Sequence, residues 1–221
     1  MQMISGIVLL IASYLWGSLS PAYIVVRLKK GIDLREYGTG TVGGSNVRKQ
    51  LGIAWMFGVG ALDVLKGMVP PIVMQNLGFD LAFVILASLA TILGHNWSLF
   101  LGFKGGRGVG TTVGVLFVWD VWLAIVFLIA LAIGWVIQQG APATAIGLIL
   151  LTPMAWRLND APAIVWGCAG LAIIIFAKRL EANRLPLPRD EKEKRAVLWR
   201  RLWLDRDIPS DEAWQDRGRI R

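Results

Sequence analysis

From Ile4 to Val26 no residue carries a charge, and that property limits the possible folds more than any other in the chain. Similar apolar runs recur near Ile53–Gln75, Leu81–Leu93, Val109–Trp119, Val121–Ile137, Ala143–Trp156 and Ala163–Ala177, with Asp63 and Lys66 as their only interior charges. Hydrocarbon offers no partner to backbone N–H and C=O groups, so a chain that crosses it repeatedly folds as helices that satisfy those groups internally. A span takes about 20 residues, fewer where neighbours shield it. The expected fold class is therefore all-α, a polytopic membrane helix bundle with about seven transmembrane helices. Fusion of neighbouring short runs would lower the count to six or five. Val109–Trp119 would reach only about 16 Å at 1.5 Å per residue, so it packs inside the bundle or is tilted and supported there. Hydrophobic residues make up 55% of the chain against 17% charged, more apolar surface than a soluble core of this size absorbs. The first run has neither a basic leader nor a small-residue cleavage site, which marks it as a retained span.

The formal net charge of +8 excludes nothing until the cations are located. Of 23 Lys and Arg residues, 13 lie from Lys178 onward and 5 between Lys29 and Lys49. These cations flank spans, the pattern set by membrane topology and anionic headgroups, so anionic lipids are expected partners and nucleic acid is not. Arg27, Lys29, Lys30, the Lys104 loop, Lys178 and Arg179 fall at the ends of odd-numbered spans. Even-numbered spans end near Asp80, Asp120 and Asp160, with Arg157 as the outside cation. The excess of cations at cytoplasmic ends then puts the N-terminus outside and the C-terminus in the cytoplasm. Trp97, Trp119, Trp122 and Trp156 sit near span ends, where interfacial anchoring is their expected role. Residues 1–185 read as a membrane-embedded domain and 186–221 as a basic amphipathic cytoplasmic tail. Within the tail, Leu198, Trp199, Leu202 and Trp203 share a helical face, with Arg195, Arg200, Arg201 and Arg206 around it. No internal repeat suggests a transporter built from two similar halves. Cys168 is the only cysteine and His95 the only histidine, so no disulfide within the chain, metal site or cofactor is expected, and Cys168 reads as a packing residue.

Three polar segments fall on the predicted cytoplasmic face. The first contains GTGTVGGSNVRKQLG from Gly38 to Gly52. Its glycines let backbone N–H groups turn toward an anion; Thr39, Thr41, Ser45 and Asn46 add donors, and Arg48 and Lys49 add charge. The second, GHNWSLFLGFKGGRGVGT from Gly94 to Thr111, places Gly105, Gly106, Gly108 and Gly110 around Lys104 and Arg107 ahead of a short helix. That is a phosphate cradle without Walker spacing, so it predicts phosphate contact without predicting ATP use. The third is the cluster of Lys178, Arg179, Glu181, Asn183 and Arg184 after the last apolar run. Asp63 and Lys66 stand at helical i, i+3 spacing, either as a structural pair or as a wall of the site. His95 reads either as a helix-end hydrogen-bonding group or as a catalytic group. Flexible polar loops, glycines used for helix packing and a plain stop-transfer cluster are the plainer readings of the three segments.

These motifs, in this order on one face, resemble the bacterial membrane-bound glycerol-3-phosphate acyltransferases that use acyl-phosphate (the PlsY family). The resemblance runs from about Tyr14 to Leu185 and includes DVLKG, from Asp63 to Gly67. It implies acyl transfer from acyl-phosphate to the primary hydroxyl of glycerol 3-phosphate, giving lysophosphatidic acid at the cytoplasmic face of a bacterial inner membrane. It assigns catalytic roles to Thr39, Asn46, Lys49 and Lys104. Phosphate binding falls to Ser45, Arg48, Gly105, Gly106, Arg107, Gly108, Lys178, Arg179 and Asn183. Expected small-molecule partners are glycerol 3-phosphate and acyl-phosphate, the expected state a monomer. The chain departs from the family pattern at several positions. Thr39 replaces a serine, Thr41 an asparagine and Lys49 an arginine; in the third motif Lys178 replaces a histidine, Leu180 a glutamate and Glu181 an asparagine. Two other functions fit the same residues: acylation of a different polyol phosphate, and non-catalytic binding or transport of phosphorylated lipids.

Overall fold

A computed structural model of the chain describes residues 2–158, 161–210 and 213–214. Among these, every regular element is helical. The helices are α1 (Gln2–Ser18), α2 (Pro21–Lys30), α3 (Gly44–Leu51), α4 (Ile53–Asn76), α5 (Leu81–Asn96), α6 (Val109–Trp119), α7 (Val121–Val136), α8 (Gly140–Leu158), α9 (Pro162–Glu181) and α10 (Glu191–Leu204), with short 3-10 turns between some of them. Among the described residues 5 segments are long and apolar enough to cross a membrane: Met3–Lys30, Ile53–Asn76, Leu81–Leu101, Gly140–Leu158 and Pro162–Arg184. Helices α6 and α7 are apolar but shorter.

The sequence explains most boundaries. Asp80 caps α5 by accepting from Phe83 N at 3.1 Å. Asp120 ends α6 and also caps α7, accepting from Trp122 N at 2.7 Å and Leu123 N at 3.2 Å. One carboxylate thereby separates two apolar helices that hydropathy alone would join. The run expected as one helix from Ile4 to Val26 is instead broken after Ser18. Pro21 opens α2, and Ser20 caps it by accepting from Tyr23 N at 3.3 Å. The first polar segment, from Gly38 to Gly52, contains α3, too short and polar to stand out by periodicity. The break expected from Arg157 to Pro162 includes Asn159 and Asp160, which lie outside the described residues, as does part of the tail.

Helix α6 is the centre of the bundle. Val113, Val115, Leu116 and Trp119 are buried with Leu123, Phe127, Leu148, Leu151, Leu171 and Ile175 from the surrounding helices. The opposite pattern marks the periphery, where Ile4, Ile7 and Ile11 on α1, Val136 on α7 and Trp166 on α9 are exposed. An apolar rim around an apolar centre is what a lipid-facing bundle requires. Trp119 Nε1 donates to Ser88 Oγ at 2.9 Å, joining α6 to α5 within this core.

Close helix contacts rest on missing side chains. A Cβ on Gly114 would collide with the Val64 carbonyl oxygen, and one on Gly67 with that of Thr111, so α4 and α6 touch backbone to backbone. Gly17 and Gly94 do the same for α1 and α5. Without a strong hydrophobic drive between helices in lipid, such proximity carries much of the association. Gly114→Ala should therefore lower the melting temperature in detergent sharply. Gly60→Ala, on the same α4 but with open space around its Cβ, should leave it unchanged or raise stability by up to about 1 kcal/mol. Equal losses in the two variants would contradict this packing.

Candidate active site

The three polar segments converge, and Asn183 joins them. It follows α9 in a left-handed conformation with φ 53° and ψ 37°. Its Nδ2 donates to Gly40 O of the first loop at 2.9 Å and to Gly105 O of the second at 3.1 Å. Its Oδ1 accepts from Gly105 N at 3.2 Å. Val42 N donates to the same Gly105 carbonyl at 3.1 Å, so the two glycine loops also touch directly. Arg35 adds an outer tie, donating from Nη1 to Leu101 O at 2.9 Å while its Nε faces Asp33 Oδ1 at 2.9 Å. That guanidinium holds the Asp33 carboxyl below its ordinary pKa, chiefly through hydrogen bonding.

Within the first loop, Thr39 and Thr41 are buried and their hydroxyls lie 2.6 Å apart. Asn46 on α3 is fully buried, with Nδ2 within reach of the carbonyls of Leu34, Tyr37 and Thr41 at 3.1, 2.9 and 3.1 Å. Its donors therefore shape the loop. Ser45 and Lys49 are exposed and Arg48 is half-buried on the same short helix.

The second loop fits because its glycines have no side chains. A Cβ on Gly105 would strike the carbonyl oxygens of His95 and Asn96, and one on Gly106 would strike His95 Nε2. Gly108 begins α6 at φ 72°, a conformation that favours glycine. The first N–H groups of α6 follow immediately, at the positive end of its dipole. Lys104 is half-buried, and among the described residues its ammonium makes no ion pair. Asn96 is fully buried beneath this turn with neither amide atom hydrogen-bonded.

Beneath the loop lies a charged cluster. Lys66 Nζ donates to Leu19 O at 2.8 Å, Gly17 O at 3.1 Å and His95 Nδ1 at 2.9 Å, and lies 3.2 Å from Asp63 Oδ1. An ammonium has only donors, so Nδ1 accepts and the imidazole proton lies on Nε2, the atom against Gly106. Asp63 and Lys66 are thus partners, and with His95 they brace the second loop from inside the bundle. The carbonyls of Gly17 and Leu19, freed where α1 breaks, complete the ammonium's shell.

The third cluster is used less uniformly than its charges suggest. Lys178 is fully buried; its Nζ donates to Glu181 Oε2 at 2.8 Å and lies 4.9 Å from the Trp97 ring centroid. Arg179 donates to Leu202 O at 2.9 Å and Ala141 O at 3.0 Å, away from the two glycine loops. Arg107 donates from Nε to Asp205 Oδ1 at 2.5 Å. Sequence reasoning missed Asp205, Asn96 and the link from His95 to Gly106. Only the last left a signal, the adjacency of His95 to the glycine-rich stretch.

Among the described residues, an all-helical bundle with segments apolar enough to cross a membrane, and glycine loops and cations gathered at one end, defines an integral membrane protein. A family model described as glycerol-3-phosphate acyltransferase matches residues 7–185. The chain is 36% identical over 219 residues to glycerol-3-phosphate acyltransferase 4 of Dehalococcoides mccartyi strain CBDB1, covering 96% of this chain and 94% of that one. It is 36% identical over 191 residues to the glycerol-3-phosphate acyltransferase of Aquifex aeolicus strain VF5, covering 83% and 97%. The crystal structure of PlsY (YgiH), an integral membrane glycerol 3-phosphate acyltransferase, in its glycerol 3-phosphate form, superposes with a TM-score of 0.73 at 32% identity, over 80% of this chain and 89% of that chain. The lysophosphatidic acid form gives 0.70 at 29% identity, with the same coverage. This chain belongs to the glycerol-3-phosphate acyltransferase family.

Asn183→Ala removes the bonds that hold the loops together, each worth about 1 kcal/mol when buried. Acyl transfer should fall by about 10²-fold while the helical content in detergent is retained. Activity within about twofold of wild type would show that the loops keep their positions without it.

Proposed function

We propose that this chain transfers a fatty acyl group from acyl-phosphate to the primary hydroxyl of glycerol 3-phosphate, producing lysophosphatidic acid and inorganic phosphate for phospholipid synthesis. The observation that carries the reading is the joining of both glycine loops to the third cluster through Asn183. It collects hydroxyls, backbone N–H groups and Lys104, which makes no ion pair among the described residues, at one end of the bundle. Family membership supplies the acyltransferase class.

Acyl-phosphate is an activated donor, so the protein's task is to position two anions and screen their repulsion. The acceptor oxygen attacks the acyl carbonyl carbon, a new ester C–O bond forms and the carbonyl C–O bond to phosphate breaks. The hydroxyl proton passes to a phosphate oxygen of the donor, which leaves as inorganic phosphate. Thr39, Ser45, Arg48, Lys49 and Lys104, with the N–H of Gly108 and those opening α6, are the groups proposed to hold the phosphates, because the N–H groups of Gly105 and Gly106 are taken by Asn183 Oδ1 at 3.2 Å and the His95 carbonyl at 3.1 Å. Lys178 would contribute its charge through the pocket wall, with Glu181 restraining it. No step requires a metal or a cofactor.

The same reading places seven helices across the membrane, counting α1 with α2 as one and including α6 and α7. The N-terminus lies outside and the site at the cytoplasmic face of a bacterial inner membrane. Clustering of Lys and Arg at that end supports this orientation. Residues 1–185 then form the embedded enzyme and 186–221 a basic cytoplasmic tail against anionic lipid, in a monomeric protein.

Purified protein given acyl-phosphate and glycerol 3-phosphate should release inorganic phosphate, and competing polyol phosphates should release less. Release that is equal or greater with another acceptor would reassign the substrate; none at any donor chain length would remove the enzyme reading. Lys104→Ala should raise the apparent KM for glycerol phosphate by roughly 10- to 100-fold, with a smaller change in kcat. An unchanged KM would make the second loop a structural element only.

A further inference from the structure

Beyond residue 185, where the family match ends, the chain returns to the site. Helix α10 packs on α8 and α9. Its fully buried Arg201 is the main fastening. That guanidinium donates to Asp207 Oδ1 at 2.7 Å and Oδ2 at 2.9 Å, to Leu180 O at 3.0 Å and to Leu185 O at 3.1 Å. Arg179 reaches across from α9 to Leu202 O at 2.9 Å. Val197, one turn before Arg201, is buried on the same side. A segment held by buried guanidinium groups that donate to its carbonyls and to its carboxylate is part of the packed protein rather than a loose appendage.

This fastening delivers Asp205. The residue ends α10 in a left-handed conformation, φ 53° and ψ 36°, which aspartate tolerates better than most. Its carboxylate receives the Nε proton of Arg107, between Gly106 and Gly108 of the second loop. The other end of that guanidinium approaches Lys178 O at 3.5 Å. The loop on which Lys104 is carried is therefore tethered on one side by Asn183 and His95 and on the other by the tail.

We infer that the C-terminal tail forms a wall of the substrate site and that Asp205 is a positioning residue, acting through Arg107 to hold the second glycine loop in its binding geometry. The inference rests on the acyltransferase reading for its substrate, not for its geometry. Arg107 then docks the tail and is not itself a phosphate ligand. Two effects of removing the carboxylate have opposite signs. Loss of a negative charge beside a phosphate site lowers KM by its field, whereas freeing a glycine-rich loop raises KM, because substrate must then order it. The ion pair is largely shielded, so ordering dominates.

In full-length protein, Asp205→Ala should raise KM for glycerol 3-phosphate about tenfold while kcat stays within about threefold, and Asp205→Glu should restore most of the loss. Arg107→Ala should resemble it, and the double variant should be no worse than either single one. A lowered KM would mean that Asp205 competes with substrate for Arg107, and additive effects would mean that it acts elsewhere; either overturns the inference. Hydrogen exchange over residues 102–108 reads the tether without turnover and should accelerate in Asp205→Ala. Unchanged exchange sinks the tail inference alone, whereas a wild-type protein without phosphate release sinks the enzyme reading alone.

Discussion

One carboxamide holds the glycine-loop end of this bundle together. Asn183 supplies donors and an acceptor to two loops that lie far from it in sequence, and each of those loops is too rich in glycine to keep a shape alone. A buried amide of this kind stabilises only when it is fully partnered, because each unpaired polar atom costs more than a formed bond contributes. The left-handed backbone at Asn183 is part of the same arrangement, turning the side chain back from the end of α9 toward the loops. Loops that were polar strings in isolation thereby acquire fixed N–H directions.

The foundation under this joint is electrostatic. Lys66 and Asp63 are both buried within an apolar helix, and neither would be tolerated there alone. Their partnership with His95 and with the carbonyls of Gly17 and Leu19 uses charge to connect α1, α4 and α5. His95 then presents its other nitrogen to Gly106. The cluster acts on the site by packing against its loop. The Lys178–Glu181 pair has a comparable logic in the third cluster, where a carboxylate one turn along neutralises a fully buried ammonium.

Apolar runs located α4 to α9 within a few residues because each run is bounded by a residue with a clear local effect, such as Asp80 or Asp120 as a cap. The break after Ser18 was less visible, since Pro21 both permits a helix start and is tolerated in membrane helices. Helix α3 was hidden because an eight-residue helix with only Val47 and Leu51 as large apolar side chains carries too little hydrophobic period. At the site, glycine spacing and cations gave the loops, but charge alone did not say where each donor goes. Arg179 and Arg107 read as phosphate contacts from sequence and Asn46 as a catalytic residue, and all three direct donors to protein acceptors. Asp205 was illegible for a different reason: nothing in the spacing of residues 107 and 205 announces a contact that depends on how α10 docks.

The break between α1 and α2 has a consequence for motion. Straightening this kinked rod would return the Leu19 carbonyl to the Tyr23 N–H and press the Gly17 carbonyl against the Pro21 ring, which has no N–H to offer it, and would strip the Lys66 ammonium of two acceptors in a medium with no water to replace them. The elbow is therefore locked by a cation rather than free to flex. Any rearrangement of the bundle must pivot elsewhere, with the inner arm of the first span travelling as one piece with the ammonium that holds it.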